Sequence, residues 1–444
     1  MAGLCVGAPT VFIPQIRSEA NSTEIINDEL GSWLYSASGF ATYPWIIILP
    51  LVTQYYGRKP PQVVTSMCSL IIFLILYFSE NPYHIIISEI FQGFLFAGNY
   101  TIRVLTVVEY TSPKYRGIFL AIKAASIFWG IWVSNAIGTF FPWKNIAVLG
   151  FICTIYTFNV FFWPESPYWL ASKGRFEECK SSFRWIHGNS EKSEKLLQEI
   201  IAATVDISNN RRIGFFDMFK NKEFYKPISI CVVTVMQNYL SGKMVCSIYI
   251  LDIFKKLTED KSTAYTAMLI LDGITVFGLY LGSFLSRFVK RRTLYMSSSF
   301  SGIFLLFVTS LYLFLSKLQI INENNHITIA LLTLYSLSIS CGPLILSLAI
   351  YGEVIPRKFQ SSCYVITGAT AVSSYSWILK LTPLMFKHFD IHGSLLFYGI
   401  SCALCTVYLY VYMPETKDKT QFEIEEFFKD KLARGEGKPL QRNK

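Results

Sequence analysis

The sequence predicts an all-α integral membrane protein of twelve transmembrane helices in two six-helix halves, with a short first helix. Three observations carry that reading. Pro164-Glu165-Ser166 and Pro414-Glu415-Thr416 each follow a long apolar run and precede a charged segment. Their neighbours echo in the same order: Gly57-Arg58-Lys59 and then Glu109 with Arg116-Gly117 in the first part, Arg287 to Arg292 and then Gly352-Glu353 in the second. Signals repeated in one order at similar spacing describe a duplicated unit. Hydrophobic residues make up 52% of the chain and charged residues 16%, well under the roughly 25% charge of soluble domains, so the lipid bilayer is the expected surrounding.

The spans fall near 1–16, 32–53, 61–79, 84–108, 117–141, 145–163, 227–252, 263–286, 293–316, 327–351, 362–386 and 392–412. Most are long enough to cross a hydrocarbon core of roughly 30 Å at about 1.5 Å per residue, and membrane helices tolerate the Gly and Pro they contain. The first span, Met1 to Ile16, lacks the basic flank of a signal peptide. It either crosses with local thinning and tilt or belongs to a chain lacking an N-terminal extension. The organisation is then 1–163 as one half, 164–226 as a linker, 227–412 as the second half and 413–444 as a tail. In the linker, the spacing of Phe176, Cys179, Phe183 and Ile186, and of Leu196, Leu197, Ile200 and Ile201, predicts amphipathic helices over 175–187 and 191–205.

Orientation comes from the basic residues. The connections on the linker side hold 21 Lys and Arg, whereas those on the other side hold only 7: Arg17, Lys144, Lys255, Lys256, Lys261, Lys317 and Lys387. The positive-inside rule places the linker and both termini of this multi-pass cell-membrane protein in the cytoplasm. The net charge of +10 therefore marks topology, and no nucleic-acid partner is expected.

The chain offers no phosphate loop, nucleophile triad or metal-ligand spacing, so neither an enzyme nor a cofactor or metal is expected. Cys402 and Cys405 have CxxC spacing but sit inside a span, where buried thiols are the simpler reading. Asn21-Ser22-Thr23 is a glycosylation sequon in the first outer loop.

Gly57-Arg58-Lys59, Glu109 with Arg116-Gly117, Pro164 to Leu170 with Lys173-Gly174-Arg175, Gly352-Glu353 and Pro414 to Thr420 together resemble the sugar porter family of the major facilitator superfamily, and within it the insect facilitated trehalose transporters. The resemblance implies the major facilitator fold. It also implies a monomer that moves a small-molecule solute, trehalose or a hexose, down its gradient by alternating access. Gly57, Arg58, Lys59, Glu109, Arg116, Gly117, Glu165, Arg287, Lys290, Arg291, Glu353 and Glu415 fall at its gating motifs. Exposed ion pairs are worth about 0–1 kcal/mol each, and helix C-termini attract cations. A cluster of such groups can therefore latch two halves together and release them.

The sequence departs from the family in an orderly way. Gln54, Ser286 and Gln360 are neutral where charged gate partners are expected, which weakens the gate. The family's Gln-Gln-x-Ser-Gly-x-Asn stretch in the seventh helix reads Asn238-Tyr239-Leu240-Ser241-Gly242-Lys243-Met244. Ala124, Leu348 and Ala371-Val372 replace other sugar-facing side chains, and Glu89 stands for an Arg. Asn238 and Tyr239 remain able to bind and stack on a sugar.

Five further charges lie inside spans: Arg103, Lys123, Lys243, Asp272 and Lys380. Each costs about 2.5–3.5 kcal/mol at a helix centre and should face a cavity or a partner. Counting about 1.5 Å per residue from the inner helix ends puts Lys243 and Asp272 at roughly 25 and 22 Å, which suggests an ion pair. Lys243, Asp272 and Lys380 also keep open a charged or amphipathic organic solute on the same fold. The neutralised gate keeps open a non-transporting receptor or inactive relative.

Overall fold

A computed structural model describes residues 1–20, 24–111, 113–209, 222–257, 261–322, 324–355, 360–417, 423–424 and 426–428. Asn21 lies outside them, and the side chains of Arg116 and Gln360 are likewise outside the description.

The first half contains α1 (Ala2–Glu19), α2 (Asp28–Tyr56), α3 (Lys59–Tyr77), α4 (Pro82–Tyr100), α5 (Ile102–Tyr110), α6 (Pro113–Phe140) and α7 (Lys144–Thr157). The linker forms α8 (Pro167–Ser172), α9 (Phe176–His187) and α10 (Glu191–Asn209). The second half runs through α11 (Lys222–Leu240), α12 (Lys243–Ile248), α13 (Ile250–Leu257), α14 (Lys261–Leu285), α15 (Arg291–Lys317), α16 (Asn325–Ile339), α17 (Ile345–Val354), α18 (Gln360–His388) and α19 (Asp390–Tyr412). Every expected span is helical. Nine helical stretches among the described residues are long and apolar enough to cross a membrane. The other three expected positions hold α1, the broken α11–α13 run and the Ser- and Thr-rich α18.

α1 is longer than the apolar run because Arg17 turns back, donating to the Ile26 carbonyl at 2.6 and 2.9 Å and pairing with Asp28 at 3.5 Å. Its 18 residues span about 27 Å at 1.5 Å per residue, close to a full crossing. α1 packs tightly on α6 because Gly3 faces Gly130; a Cβ on either would strike the other helix's backbone. Between membrane helices that close van der Waals contact stands in for the hydrophobic effect.

Two helix packings in each half, and two more between the halves, organise the bundle. α2 lies on α4 and α3 on α7 in the first half, α15 on α19 and α14 on α16 in the second. The halves meet along α2–α18 and α6–α14. Buried tyrosines satisfy their hydroxyls inside the second half: Tyr295 donates to Gln237 at 3.0 Å and Tyr335 to the Ser241 carbonyl at 2.6 Å, as buried phenols require. In the linker, Trp169, Leu170, Phe183, Leu197 and Ile200 form a separate small core, so α9 and α10 bury the faces that the spacing indicated. His187 stacks 4.5 Å from Phe183, and burial pushes its pKa below the ordinary value.

Three crossings are interrupted at mid-depth. α4 passes to α5 at Thr101, whose N–H still reaches Ala97. α11 stops at Leu240 and restarts at Lys243 through Gly242, which has a left-handed φ of 78°. α16 passes to α17 through a π-helical turn, Ser340–Leu344, that contains Pro343. Such breaks free backbone groups where a membrane protein can tolerate it, against protein or a cavity.

Candidate functional site

The interruptions surround one cavity of about 150 Å³ between the halves. Tyr100 from α4, Asn238, Tyr239 and Met244 from the broken seventh crossing, and Leu344 and Ser347 from the π-turn and α17 line it. α6 adds Lys123, Ala124 and Phe128, and α18 adds Thr367 and Tyr375. The wall is mainly aromatic and apolar with a few hydrogen-bonding groups, as small-molecule sites usually are. The Tyr100 and Tyr239 hydroxyls share a hydrogen bond of 2.6 Å across the halves. Ser347 donates to the Asn238 side-chain oxygen at 3.1 Å, leaving the Asn238 amide hydrogens for a ligand.

The other residues expected at the substrate position serve the frame. Ser241 is buried; its hydroxyl donates to the Asn238 carbonyl at 3.0 Å, while its own carbonyl accepts from Tyr335. Gly242 makes the break, and a Cβ there would meet the Tyr398 ring. Lys243 is wholly buried and donates to Ser247 at 2.8 Å. Asp272 accepts from Asn135 of the first half at 2.7 Å and also hydrogen-bonds Ser247. No ion pair within 4.0 Å joins Lys243 to Asp272; the expected direct pair is a link through a hydroxyl, because the α11–α12 break carries Lys243 alongside Ser247, one turn ahead on the same helix. Lys380 donates to Ser32 at 2.8 Å and sits 3.8 Å over the Trp33 ring. Lys243, Asp272 and Lys380 do not line the cavity.

Lys380–Ser32 and Asp272–Asn135 both cross between the halves away from the basic loops. Thr10 donates to the Ile248 carbonyl at 2.9 Å there, and the Tyr35 and Tyr249 rings lie 4.4 Å apart. The halves are thus pinned by neutral, aromatic and charge-assisted contacts on the face opposite the linker. In contrast, the cavity reaches Val104 and Tyr364, each within two turns of the basic ends of its helix.

At the basic ends the two halves carry the same network. Arg58 pairs with Glu109 at 2.7 Å through a two-pronged contact, and its backbone N–H donates to Glu165 at 2.8 Å. In the second half Arg291 pairs with Glu353, and its N–H donates to Glu415 at 3.1 Å. Gly57 lets α2 end with φ 94° beside Glu165, and the Lys59 N–H also donates to that carboxylate, at 3.1 Å. The partner of Arg58 in the repeat is therefore Arg291. Arg287 accepts at its carbonyl from Lys417 at 2.7 Å and donates its N–H to the Phe284 carbonyl at 3.1 Å, and Lys290 stands at the N-cap position of α15 with no side-chain bond to it. Each network closes inside one half; among the described residues no ion pair joins the halves at this face. Arg58, Glu109 and Glu353, expected to help latch the halves together, here pair within their own halves. Gly117 lies in the first turn of α6, but the Arg116 side chain falls outside the described residues. Sequence reasoning missed Tyr100, Ser347, Thr367 and Tyr375, which sit in ordinary Ser, Thr and aromatic patterns with no motif to mark them.

Residues 3–428 match the family described as Sugar (and other) transporter. Sugar transporter ERD6-like 6 of Arabidopsis thaliana is 24% identical over 390 residues, covering 85% of this chain and 78% of that protein. The facilitated trehalose transporter Tret1 of Polypedilum vanderplanki is 23% identical over 448 residues, covering 96% of this chain and 85% of that one. Among solved structures, the proton:xylose symporter XylE bound to 6-bromo-6-deoxy-D-glucose superposes with a TM-score of 0.77 at 16% identity, covering 96% and 97% of the two chains. The inward open conformation of XylE from E. coli gives 0.73. With a repeated Arg–Glu–Glu network in each half and a cavity between them, this chain belongs to the family described as Sugar (and other) transporter.

Proposed function

We propose that the protein carries a sugar, trehalose or a hexose, down its gradient across the cell membrane by alternating access, with both termini and the linker in the cytoplasm. The observation that carries this reading is the cavity where three interrupted helices meet between the halves. Asn238 presents amide hydrogens to a hydroxyl, and Tyr239, Tyr375 and Phe128 offer faces for the apolar side of a sugar ring. The pinned outer face and the cavity's reach towards the basic ends favour a cytoplasm-facing arrangement. Relatives named for trehalose and other sugars support the substrate class.

Uptake of labelled trehalose, glucose and xylose into expressing cells tests this. Saturable uptake of at least one, competed by the unlabelled sugar and lost in Asn238→Ala, is expected. No uptake of any sugar by surface-expressed protein would overturn the reading.

A further inference from the structure

Of Arg103, Lys123, Lys243, Asp272 and Lys380, three have partners: Lys243 with Ser247, Asp272 with Asn135, and Lys380 with Ser32 and Trp33. Lys123 and Arg103 have none. Lys123 lines the cavity beside Ala124 and Ile127, yet its ammonium makes no hydrogen bond or ion pair, and no acidic side chain among the described residues is close enough to act on it. The one charge that does reach it is the guanidinium of Arg103, in the first turn of α5, itself without a hydrogen-bonding partner. Two cations near one another inside a membrane bundle, with no counter-charge, are costly in an empty site. A ligand that brings a negative group removes that cost.

We propose that the cavity takes an acidic sugar, one bearing a carboxylate or phosphate, with the anion on Lys123 under the field of Arg103 and the ring hydroxyls on Asn238 and the tyrosines. This rests on the sugar-transport reading and changes its substrate from a neutral sugar to an acidic one. A neutral sugar leaves both cations uncompensated, whereas a bare anion leaves the aromatic wall and the Asn238 amide unfilled. The family's Gln position is Ala124, immediately after Lys123, so on this stretch of α6 a cation is offered where an amide is absent.

Purified full-length protein is tested by thermal shift and by competition against a bound labelled sugar, using D-glucuronate, D-glucose 6-phosphate, D-glucose, trehalose, acetate and inorganic phosphate. The expected result is at least one acidic sugar binding tenfold or more tighter than D-glucose. That preference should vanish in Lys123→Met, persist in Lys123→Arg and weaken in Arg103→Gln. Lys123→Met without ligand should melt at or above the parent's temperature, because it removes an uncompensated charge; this shows that the variant folds. Neutral sugars that bind while acidic ones do not overturn the proposal and leave the sugar reading standing. Equal protection by acetate or inorganic phosphate overturns it in favour of a simple anion site. An acidic-sugar preference that survives Lys123→Met overturns the placement, and no binding by any sugar overturns the sugar reading with it.

Discussion

Lys243 and Asp272 meet through Ser247 and do not touch. Asp272 has a second donor, Asn135, reaching across from the first half at 2.7 Å, whereas the Lys243 ammonium donates to Ser247 alone. The two charges are therefore unequally protected. Removing one side of a buried charge pair costs about 3–5 kcal/mol. Asp272→Asn is expected at the upper end of that range, because it strands the ammonium. Lys243→Met should fall below it, because Asn135 and Ser247 still serve the carboxylate. The double variant should recover much of the loss. Fluorescence-detected chromatography after a heat challenge reads this order, and equal losses in the two single variants would count against it.

The Arg58–Glu109 and Arg291–Glu353 pairs should behave as two independent units. Charge-assisted hydrogen bonds of this kind contribute about 1.5–3 kcal/mol, and sites without shared partners add. Double-mutant cycles on thermal stability should give coupling of that size for Arg58 with Glu109 and near zero for Arg58 with Glu353. Strong Arg58–Glu353 coupling would restore the idea of a latch between halves.

Gly242→Ala should destabilise the protein and depress uptake. The left-handed φ costs a non-glycine residue about 1–2 kcal/mol, and the added methyl meets Tyr398. Tyr398→Leu combined with it relieves only the clash, so partial recovery of the melting temperature is expected. A Gly242→Ala protein with unchanged melting and transport would show that the break is not required.

Tyr100→Phe and Tyr239→Phe each delete the same hydroxyl contact between the halves. Each should cost about 0.5–1.5 kcal/mol, and the double variant should cost no more than either one. Additive losses in melting temperature would mean that the hydroxyls serve different partners.

Transport should need no proton gradient. Glu89 is buried on α4 with Gln92 donating to it at 2.9 Å and Ser38 as its other partner, neutral groups that an amide could also satisfy. Glu89→Gln is therefore expected to keep uptake. Collapse of uptake by a protonophore with the sugar gradient maintained, or its loss in Glu89→Gln, would argue for coupling.

The crossings and the duplicated motifs were legible because each is written in a short local pattern: an apolar run, or a Pro-Glu pair at its end. The register of the repeat was not. Arg287 and Arg291 both follow the eighth span, and only the position of Glu353 and Glu415 in space selects Arg291. The cavity was half legible. Asn238 and Tyr239 sit in a stretch that resembles a known one, and Gly242 announces a break. Thr101 itself gives no such sign, since a threonine is common inside a membrane helix. The Lys243–Asp272 link was misjudged because depth fixes height along a helix and says nothing about rotation around it.

The confinement of both basic-end networks to their own halves has a consequence for how the protein responds to salt. Opposite charges that face each other across a gap must be pulled apart as it opens, and mobile ions ease that work within a Debye length of about 8 Å at physiological ionic strength. Here Arg58 stays with Glu109 and Arg291 with Glu353, so parting the halves on that side separates no described ion pair. Salt that weakens these two pairs therefore acts on the stability of each half, and the described pairs add nothing to the work of parting the halves there.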